Sequence, residues 1–478
     1  MLFNSFEFAL FLPAVFMLYW FVFQRNLNVQ NLLLVAVSYV FYGWWDWRFL
    51  GLLALSSACD YVIGRAMSQS KAENQRKALL GLSLAINLGI LGFFKYYNFF
   101  VDSFIDAFNG LGLTMNTRTL NIILPVGISF YTFQTLSYTI DIYRGKLKPA
   151  DNPITFFAFV SFFPQLVAGP IERATHLLPQ FEKPRKFDYE KAKDGARQAL
   201  WGFFKKVVIA DTCATQVDYI FNNSETLPGV YLIIGAILFA FQIYGDFSGY
   251  SDIAIGTARF FGFDLMQNFN LPYFSRDIAE FWRRWHNSLS TWFRDYLYIP
   301  LGGSRGGKWM RLRNVIIIFT VSGFWHGANW TFVVWGFLNG LYYIPLMLAN
   351  RNRVNVTDTV AEGRFLPNLR ELWQMATTFA LAIIAWVFFR AESVGHALGY
   401  LKRMLTLDGG FEMPPGSMIT PLLWVGLLVG IEWLQRTKKH GFQFDHVPMP
   451  IRWATYVITT IMVFQAFSLD KTFIYFQF

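Results

Sequence analysis

The sequence predicts an all-α integral membrane protein that crosses the membrane many times. Of the 478 residues, 54% are hydrophobic and only 15% are charged, whereas soluble globular chains carry about a quarter charged residues. Apolar runs without Asp, Glu, Lys or Arg recur along almost the whole chain. We therefore expect roughly eleven to thirteen membrane helices, arranged as a single domain over residues 1–478.

The expected helices follow the apolar runs in chain order. The stronger runs cover residues 8–23, 29–45, 78–94, 120–140, 154–171, 227–245, 315–349, 372–389, 419–431 and 453–469, and weaker runs cover residues 49–59 and 207–220. The first run has no basic residues before it and no small-residue cleavage pattern after it, so we expect a retained helix rather than a signal peptide.

The basic residues that give the chain a formal net charge of +10 are concentrated between the apolar runs. Residues 173–206 contain nine Lys or Arg residues, and residues 276–313 contain eight. The positive-inside rule places both segments in the cytoplasm. The basic residues do not form one continuous face, so we expect no nucleic acid among the partners. The second segment is also rich in Trp and Phe, which predicts contact with membrane lipids.

His326 lies inside the longest apolar run, residues 315–349. An ionisable side chain at membrane depth is costly and usually faces a cavity or a polar partner. If this segment is one helix, three residues share the face of His326: Ser322, Asn329 and Trp330. Gly323 and Gly327 would let another helix approach closely. A neutral imidazole in this position is suited to accepting a proton from a hydroxyl group, but a packed, non-catalytic histidine is the alternative.

A second histidine, His286, ends the motif Phe-Trp-Arg-Arg-Trp-His. It could polarise a carbonyl group, orient a donor or merely cap a surface helix. Trp282 lies one helical turn before it. Three nearby arginines could bind phosphates through their guanidinium groups, or else set the topology and contact lipid headgroups: Arg283, Arg284 and Arg294.

Two carboxylates follow the apolar run 227–245, among several hydroxyl groups. Helical spacing pairs Asp246 with Tyr250 and Ser248 with Asp252. These residues could shape a polar entrance or hold the catalytic helices in place, and we favour the structural role. The six histidines are scattered and the two cysteines are isolated, so we expect no metal site.

Several motifs together resemble the membrane-bound O-acyltransferase family. They are Leu-Pro-Val-Gly-Ile-Ser-Phe-Tyr at 124–131, Ala-Gly-Pro-Ile-Glu-Arg at 168–173, Gly-Asp-Phe-Ser-Gly-Tyr-Ser-Asp at 245–252, the two histidine motifs, and Phe-Ile-Tyr-Phe-Gln-Phe at 473–478. The chain resembles in particular the bacterial branch typified by the membrane subunit of alginate O-acetyltransferase. The resemblance implies a ring of helices around a central funnel, with re-entrant helices on the cytoplasmic side. It places His326 at the family's catalytic histidine and His286 at its second characteristic position.

The same resemblance implies an acetyltransferase of the bacterial inner membrane. The donor would be acetyl-coenzyme A, bound as a substrate and not as a resident cofactor. The acetyl group would pass across the membrane to an exopolysaccharide or cell-wall glycan, with the help of an extracytoplasmic acetyltransferase of the serine esterase-like (SGNH) type or another polysaccharide-modifying protein. We hypothesise that His326 is the general base, and that His286, Asn329 or a Trp indole, for example that of Trp325, stabilises charge on the carbonyl oxygen.

Two alternatives from other classes remain at this point. One is a transporter of acyl groups or other solutes, in which His326, Asp246 and Asp252 would line a path and no bond would be broken. The other is a non-catalytic scaffold of a polysaccharide export complex. The absence of internal repeats argues against the transporter, and the two intact histidines argue against the scaffold.

Overall fold

The computed structural model describes residues 1–113, 120–356, 358–410, 415–444, 447–467 and 473–474. Within these ranges the chain forms helices and no strand, which confirms the predicted all-α class. The chain divides into two compact units, Met1–Ala192 with Thr257–Met266 and Lys193–Gly256 with Gln267–Phe478. The single domain expected from the sequence stays a prediction.

The first unit contains nine complete α-helices. They are α1 (Phe6–Met17), α2 (Leu27–Gly43), α3 (Leu50–Gln69), α4 (Glu73–Leu91), α5 (Tyr97–Gly110), α6 (Ile128–Tyr143), α7 (Pro153–Ser161), α8 (Phe163–Leu166) and α9 (Ala174–Phe181). π-helical turns extend α1 and α4, at Leu18–Val22 and Gly92–Tyr96. A buried polar network ties α3 to α4, where the Asp60 carboxylate accepts hydrogen bonds from Ser83 Oγ (2.6 Å) and Asn87 Nδ2 (2.8 Å). These bonds offset the cost of burying the carboxylate.

The second unit holds the helices that carry both histidines. They are α11 (Asp211–Asn222), most of α12 (Gly229–Phe260), α13 (Ile278–Arg284), α14 (Asn287–Phe293), α15 (Lys308–His326), α16 (Trp330–Leu348), α17 (Leu369–Arg390), α18 (Val394–Thr406), α19 (Gly416–Leu434) and α20 (Met449–Ala466). Helix α10 (Tyr189–Phe203) begins in the first unit, ends in the second and continues as a π-helical segment, Phe204–Ala210.

Six helical segments of the described chain are long and apolar enough to cross a membrane: Trp47–Gln69, Glu73–Gly110, Gly229–Phe260, Trp330–Leu348, Leu369–Arg390 and Gly416–Leu434. Phe6–Val22 and Leu27–Gly43 are apolar but shorter. These segments agree with a multi-pass membrane protein, while the finer expectation of eleven to thirteen helices stays a prediction.

Several apolar runs form shorter helices than the sequence predicts, because the backbone breaks inside them. Run 120–140 becomes helical only at Ile128, after Gly127, which has a φ of +75°. Run 154–171 divides into α7 and α8 at Phe162, two residues before Pro164, whose ring nitrogen cannot donate a helical hydrogen bond. The end of run 453–469 lies outside the described residues.

Helices α15 and α16 approach each other closely through two glycines. A Cβ atom added to Gly323 would lie 2.9 Å from the Cα of Gly336 and would also meet the carbonyl oxygen of Phe332. A side chain there would push the helices apart, so the predicted role of Gly323 in close helix approach is confirmed. This contact lies one turn before His326 and helps to fix its position.

Candidate active site

The fold brings the two predicted histidines together. Their ring centroids lie 6.4 Å apart, and both side chains are buried, His286 at 1% and His326 at 3% exposure. His326 is the last residue of α15, and His286 forms the turn between α13 and α14. The two imidazoles therefore belong to one buried site.

Aromatic rings surround both imidazoles. The rings of Trp325, Trp335 and Phe389 lie 5.0–5.4 Å from that of His326. Phe247 meets His286 edge-on at 4.6 Å. His286 lies outside the six candidate membrane spans, and its burial lowers its pKa to about 3. The imidazole is therefore neutral at physiological pH, and one ring nitrogen carries a free electron pair.

The backbone of His286 is strained. Its φ of 43° and ψ of 53° place it in the left-handed region, which costs a non-glycine residue roughly 1–2 kcal/mol. Hydrogen bonds on both sides hold the turn: Trp285 N donates to Phe281 O (2.8 Å), and Asn287 N donates to Asn268 O (2.9 Å). Strain of this kind often marks functional residues, because the surrounding structure must maintain it.

Asn268 also contacts the side chain of His286, which the sequence did not predict. Asn268 Oδ1 lies 3.0 Å from His286 Nδ1 and accepts a hydrogen bond from Ser288 Oγ at 2.8 Å. Asn268 Nδ2 donates to Ser251 Oγ at 3.1 Å. On the opposite side of the ring, His286 Nε2 is buried and has no hydrogen-bond partner among the described residues.

The predicted polar face around His326 is only partly correct. Ser322 is buried on α15 one turn before His326, as expected. The helix ends at His326, however, because Gly327 is extended and a new helix starts at Trp330. Asn329 instead caps α16: its Oδ1 accepts from Thr331 N (3.0 Å) and its Nδ2 donates to Glu392 O (3.1 Å). Trp330 is 55% exposed.

Trp282 and Trp325 both lie near the histidine site. Trp325 is buried, and its ring lies 6.1 Å from that of His286. The buried ring of Trp282 packs 5.6 Å from Trp335, which in turn contacts His326. Trp325 therefore contacts both histidines, and Trp282 lies one layer behind; a site-shaping role for the two tryptophans stays a prediction.

Two of the three predicted phosphate-binding arginines bind other parts of the protein. Arg283 donates to the carbonyl oxygens of Asn352 (3.0 Å) and Asn355 (2.8 Å). Arg284 forms an ion pair with Glu280 at 2.8 Å. Arg294 is more exposed and pairs with its neighbour Asp295 at 2.7 Å, a hydrogen bond that raises the Arg294 pKa. Phosphate binding by these residues stays a prediction, and for Arg283 and Arg284 it would require loss of these bonds.

Asp246 belongs to a buried cluster of ion pairs. Its Oδ1 lies 2.6 Å from Lys206 Nζ, and its Oδ2 accepts a hydrogen bond from the backbone N–H of Ile474 (2.6 Å). Tyr250 is buried beside it and packs on Phe473 with ring centroids 4.8 Å apart. These contacts agree with the structural role that we favoured. Residues 475–478 of the closing motif lie outside the described residues.

The neighbouring pair Lys205–Asp252 lines a partly open cavity; the space within it, open solvent included, is about 390 Å³. Lys205 Nζ lies 2.6 Å from Asp252 Oδ2. Phe269 also lines the cavity, and its ring lies 6.3 Å from that of His286, nearly parallel to it. The rest of the wall includes Trp201, Tyr244, Asn270, Glu432, Lys438 and Lys439. A ligand in this cavity would therefore lie close to the histidine site.

Some residues of the site were not predicted from the sequence, and sequence patterns could have indicated only some of them. Lys205 and Lys206 interrupt an apolar segment, so their burial beside carboxylates could have been suspected. No sequence pattern indicated Asn268, because an asparagine in an irregular segment is typical of any loop. Among the described residues, no group of three His, Cys, Asp or Glu side chains could hold a metal ion.

Comparisons with known proteins identify the family of the chain. Residues 150–356 match the model of MBOAT, the membrane-bound O-acyltransferase family. The chain is 43% identical over 399 residues to a probable alginate O-acetylase AlgI of Azotobacter vinelandii, covering 83% of this chain and 76% of the relative. It is 37% identical over 439 residues to the peptidoglycan O-acetyltransferase of Helicobacter pylori, covering 86% and 80%. A teichoic acid D-alanyltransferase of Bacillus subtilis is 30% identical over 242 residues, covering 48% and 59%.

The two histidines lie together in a buried site, and most of the chain is similar to O-acetyltransferases. The similarity leads to one conclusion. The chain belongs to the membrane-bound O-acyltransferase family and is an O-acyltransferase of its bacterial, alginate O-acetylase-like branch.

Proposed function

We propose that this protein takes an acetyl group from acetyl-coenzyme A in the cytoplasm and passes it across the bacterial inner membrane for O-acetylation of an exopolysaccharide or cell-wall glycan. The observation that carries the proposal is the buried pair His326 and His286, with ring centroids 6.4 Å apart. The similarity to an alginate O-acetylase and a peptidoglycan O-acetyltransferase supports a surface glycan as the final acceptor.

The reaction needs only proton transfer and charge stabilisation, which this site can provide. The acceptor oxygen attacks the thioester carbonyl carbon, the C–S bond breaks, and the hydroxyl proton moves through an imidazole to the leaving thiolate. The products are an ester and a thiol, so the atoms balance without an oxidant or a metal ion. A neutral imidazole can accept the proton, and the sequence-based assignment gives this task to His326. Direct transfer remains our proposal, without a covalent acyl-enzyme.

The cavity beside His286 is a suitable place for the donor. Lys205, Lys438 and Lys439 line it, and ammonium groups attract phosphates. Phe269 separates the cavity from the imidazole of His286, so a thioester arm would need to pass this ring. Lys205, Arg283, Arg284 and Arg294 already pair with other groups of the protein, so the phosphates of the donor would have to compete with these bonds.

The acceptor side of the reaction requires a partner in this proposal. We propose that an extracytoplasmic acetyltransferase of the SGNH type, or another polysaccharide-modifying protein, receives the acetyl group and delivers it to the glycan. The basic segments 173–206 and 276–313 support a cytoplasmic donor side, because positively charged segments usually stay in the cytoplasm.

The test is transfer of radiolabelled acetyl from acetyl-coenzyme A to glycan in membrane vesicles that contain the partner proteins. Because general acid–base catalysis typically contributes about 10²- to 10⁴-fold, we expect His326→Ala and His286→Ala each to reduce the transfer rate by at least about 10²-fold. His396→Ala is the matched control: its Nε2 pairs with Ser224 Oγ at 3.0 Å, outside the site, and the variant should retain transfer.

Release of the label by mild alkali distinguishes ester formation from simple transport. Alkali-labile label on the glycan in wild type, lost in both site variants at matched expression, supports the proposal. Free labelled acetyl accumulating across the membrane, without ester, would favour the transporter. Normal transfer by both variants would remove the histidines from the chemistry.

A further inference from the structure

The hydrogen bonds of Asn268 determine which nitrogen of His286 carries the proton. Ser288 N lies 3.4 Å from the Asn268 side-chain atom that faces His286, and a backbone N–H can only donate. The Ser288 hydroxyl lies 2.8 Å from the same atom, while the other end of the amide lies 3.1 Å from Ser251 Oγ. The atom facing His286 is therefore the carbonyl oxygen, which can only accept.

His286 Nδ1 lies 3.0 Å from this oxygen, whereas the Ser288 hydroxyl, the other possible partner of Nδ1, is farther away at 3.4 Å and donates to the same oxygen at 2.8 Å; Nδ1 therefore carries the hydrogen. If it did not, two acceptors would face each other in a buried site, which is unfavourable. In a neutral imidazole, hydrogen on Nδ1 leaves an electron pair on Nε2. Nε2 is also the ring atom that is buried and has no hydrogen-bond partner among the described residues.

We propose that Asn268 is a positioning residue that fixes His286 in the Nδ1–H form and so presents Nε2 to the reaction as a proton acceptor. The inference rests on the proposed acyl transfer and moves the task of accepting the hydroxyl proton from His326 to His286. A neutral Nε2 without hydrogen cannot donate to a carbonyl oxygen. His286 therefore meets the attacking hydroxyl group: the O–H proton moves to Nε2 as the C–O bond forms, and it then passes to the thiolate as the C–S bond breaks.

The strained turn supports this role. Asn268 holds the turn at two points: its side chain contacts His286 Nδ1, and its backbone carbonyl accepts from Asn287 N at 2.9 Å. One residue thus helps to hold both the left-handed backbone and the ring orientation. The neighbouring Phe269 and Asn270 line the cavity proposed for the donor, so the segment that positions the base also borders the donor.

The first test measures the tautomer directly, without depending on activity. The full-length protein is labelled with ¹⁵N-histidine, and solid-state NMR records the six histidines in membranes, with His286→Gln used to assign the His286 signals. We expect a protonated Nδ1 and an unprotonated Nε2 in wild type. In Asn268→Leu, which keeps the volume and removes the acceptor, we expect a mixture of the two forms. A protonated Nε2 in wild type would overturn the inference.

The second test uses kinetics. Loss of a positioning hydrogen bond typically costs about 10- to 100-fold, so Asn268→Ala should lower kcat by roughly this factor and change the KM for acetyl-coenzyme A by less than about threefold. Asn268→Asp keeps an acceptor at Nδ1 and adds a negative charge. It should retain most of the activity and move the acidic limb of the kcat–pH profile upward by about one pH unit or more.

Asn339→Ala is the matched control. Asn339 is also buried, but among the contacts that the structure describes its side chain bonds only to Trp335 O on its own helix, at 2.8 Å. A merely structural role for Asn268 predicts equal losses in the Ala and Asp variants and an unshifted pH limb, which would overturn the inference. Absence of transfer in wild type would instead contradict the proposed function, while leaving the tautomer measurement valid.

Discussion

The second unit buries two polar clusters that are stabilised in opposite ways. In one, Lys206 Nζ has carboxylate oxygens of Asp246 and Asp211 within 2.8 Å, so each charge has an opposite charge beside it. In the other, the groups nearest His286 carry no fixed charge: the amide of Asn268, aromatic rings and the imidazole of His326. The first arrangement preserves charges and the second excludes them. Burial with compensation suits a structural element, whereas burial without it keeps the imidazole neutral.

The largest effect should come from breaking the ion-pair cluster. Lys206→Met leaves Asp246 and Asp211 buried without their shared cation, and removal of one partner from a buried ion pair typically costs about 3–5 kcal/mol. We expect a strongly lowered Tm for the purified protein in detergent, measured by tryptophan fluorescence.

The surroundings of His286 predict a different result from those of Lys206. His286→Gln should fold with a Tm close to that of wild type at pH 7.5, because it removes no compensating charge, yet it should lose transfer. If Lys206→Met kept a normal Tm while His286→Gln unfolded, the proposed division between a structural and a reactive cluster would be wrong.

The next effect concerns the close approach of α15 and α16. Gly323→Ala adds a Cβ atom 2.9 Å from Gly336 Cα, and overpacking of this kind typically costs about 1–3 kcal/mol. Because His326 lies one turn further along α15, we expect the transfer rate to fall as well. The measurement is the Tm together with acetyl transfer at matched expression.

A matched glycine control is available on α19. Gly426 is helical, and nothing lies within 4 Å of a Cβ atom added there, so Gly426→Ala should leave the Tm unchanged or raise it slightly. Equal losses in Gly323→Ala and Gly426→Ala would show that helical glycine itself is needed, and not the contact between the two helices.

The sequence was most informative where local chemistry decides the structure. Apolar runs located most of the long helices. The cost of an ionisable side chain at membrane depth predicted that His326 faces a cavity or a polar partner; the structure buries His326, although α15 is not among the six candidate membrane spans. The sequence failed where a single backbone break changes the outcome. The helix ends at Gly327, so Asn329 became a helix cap and not a member of the histidine face.

Contacts between distant parts of the chain also could not be predicted from the sequence. Asn268 and His286 are separated by eighteen residues, and Asp246 and Ile474 by 228, so no helical or strand periodicity relates them. Such pairs depend on how irregular segments cross, which is determined by packing and not by local propensity.

The smallest effect is a pH dependence of stability that distinguishes histidines in different surroundings. Burial lowers the pKa of His286 to about 3 from an ordinary value of 6.5, so below pH 6.5 the unfolded chain binds a proton that the folded protein does not. The contribution to stability is complete above pH 6.5 and is lost as the pH falls toward 3. One pH unit below 6.5 the loss is about 1.4 kcal/mol. Denaturant unfolding of wild type and His286→Gln between pH 7.5 and 5 measures it, and we expect the variant to lose less stability than wild type.

His176 provides a control with the opposite sign. The hydrogen bond that His176 donates to the Glu172 carboxylate raises the pKa of His176, which lies outside the candidate membrane spans. Its contribution to stability is therefore present below pH 6.5 and is lost as the pH rises. His176→Gln should therefore weaken the protein more at pH 5.5 than at pH 7.5, whereas His286→Gln should be relatively more stable at pH 5.5. The same pH trend in both variants would mean that charge is not what separates these histidines, and the neutral, proton-accepting state proposed for His286 would lose its support.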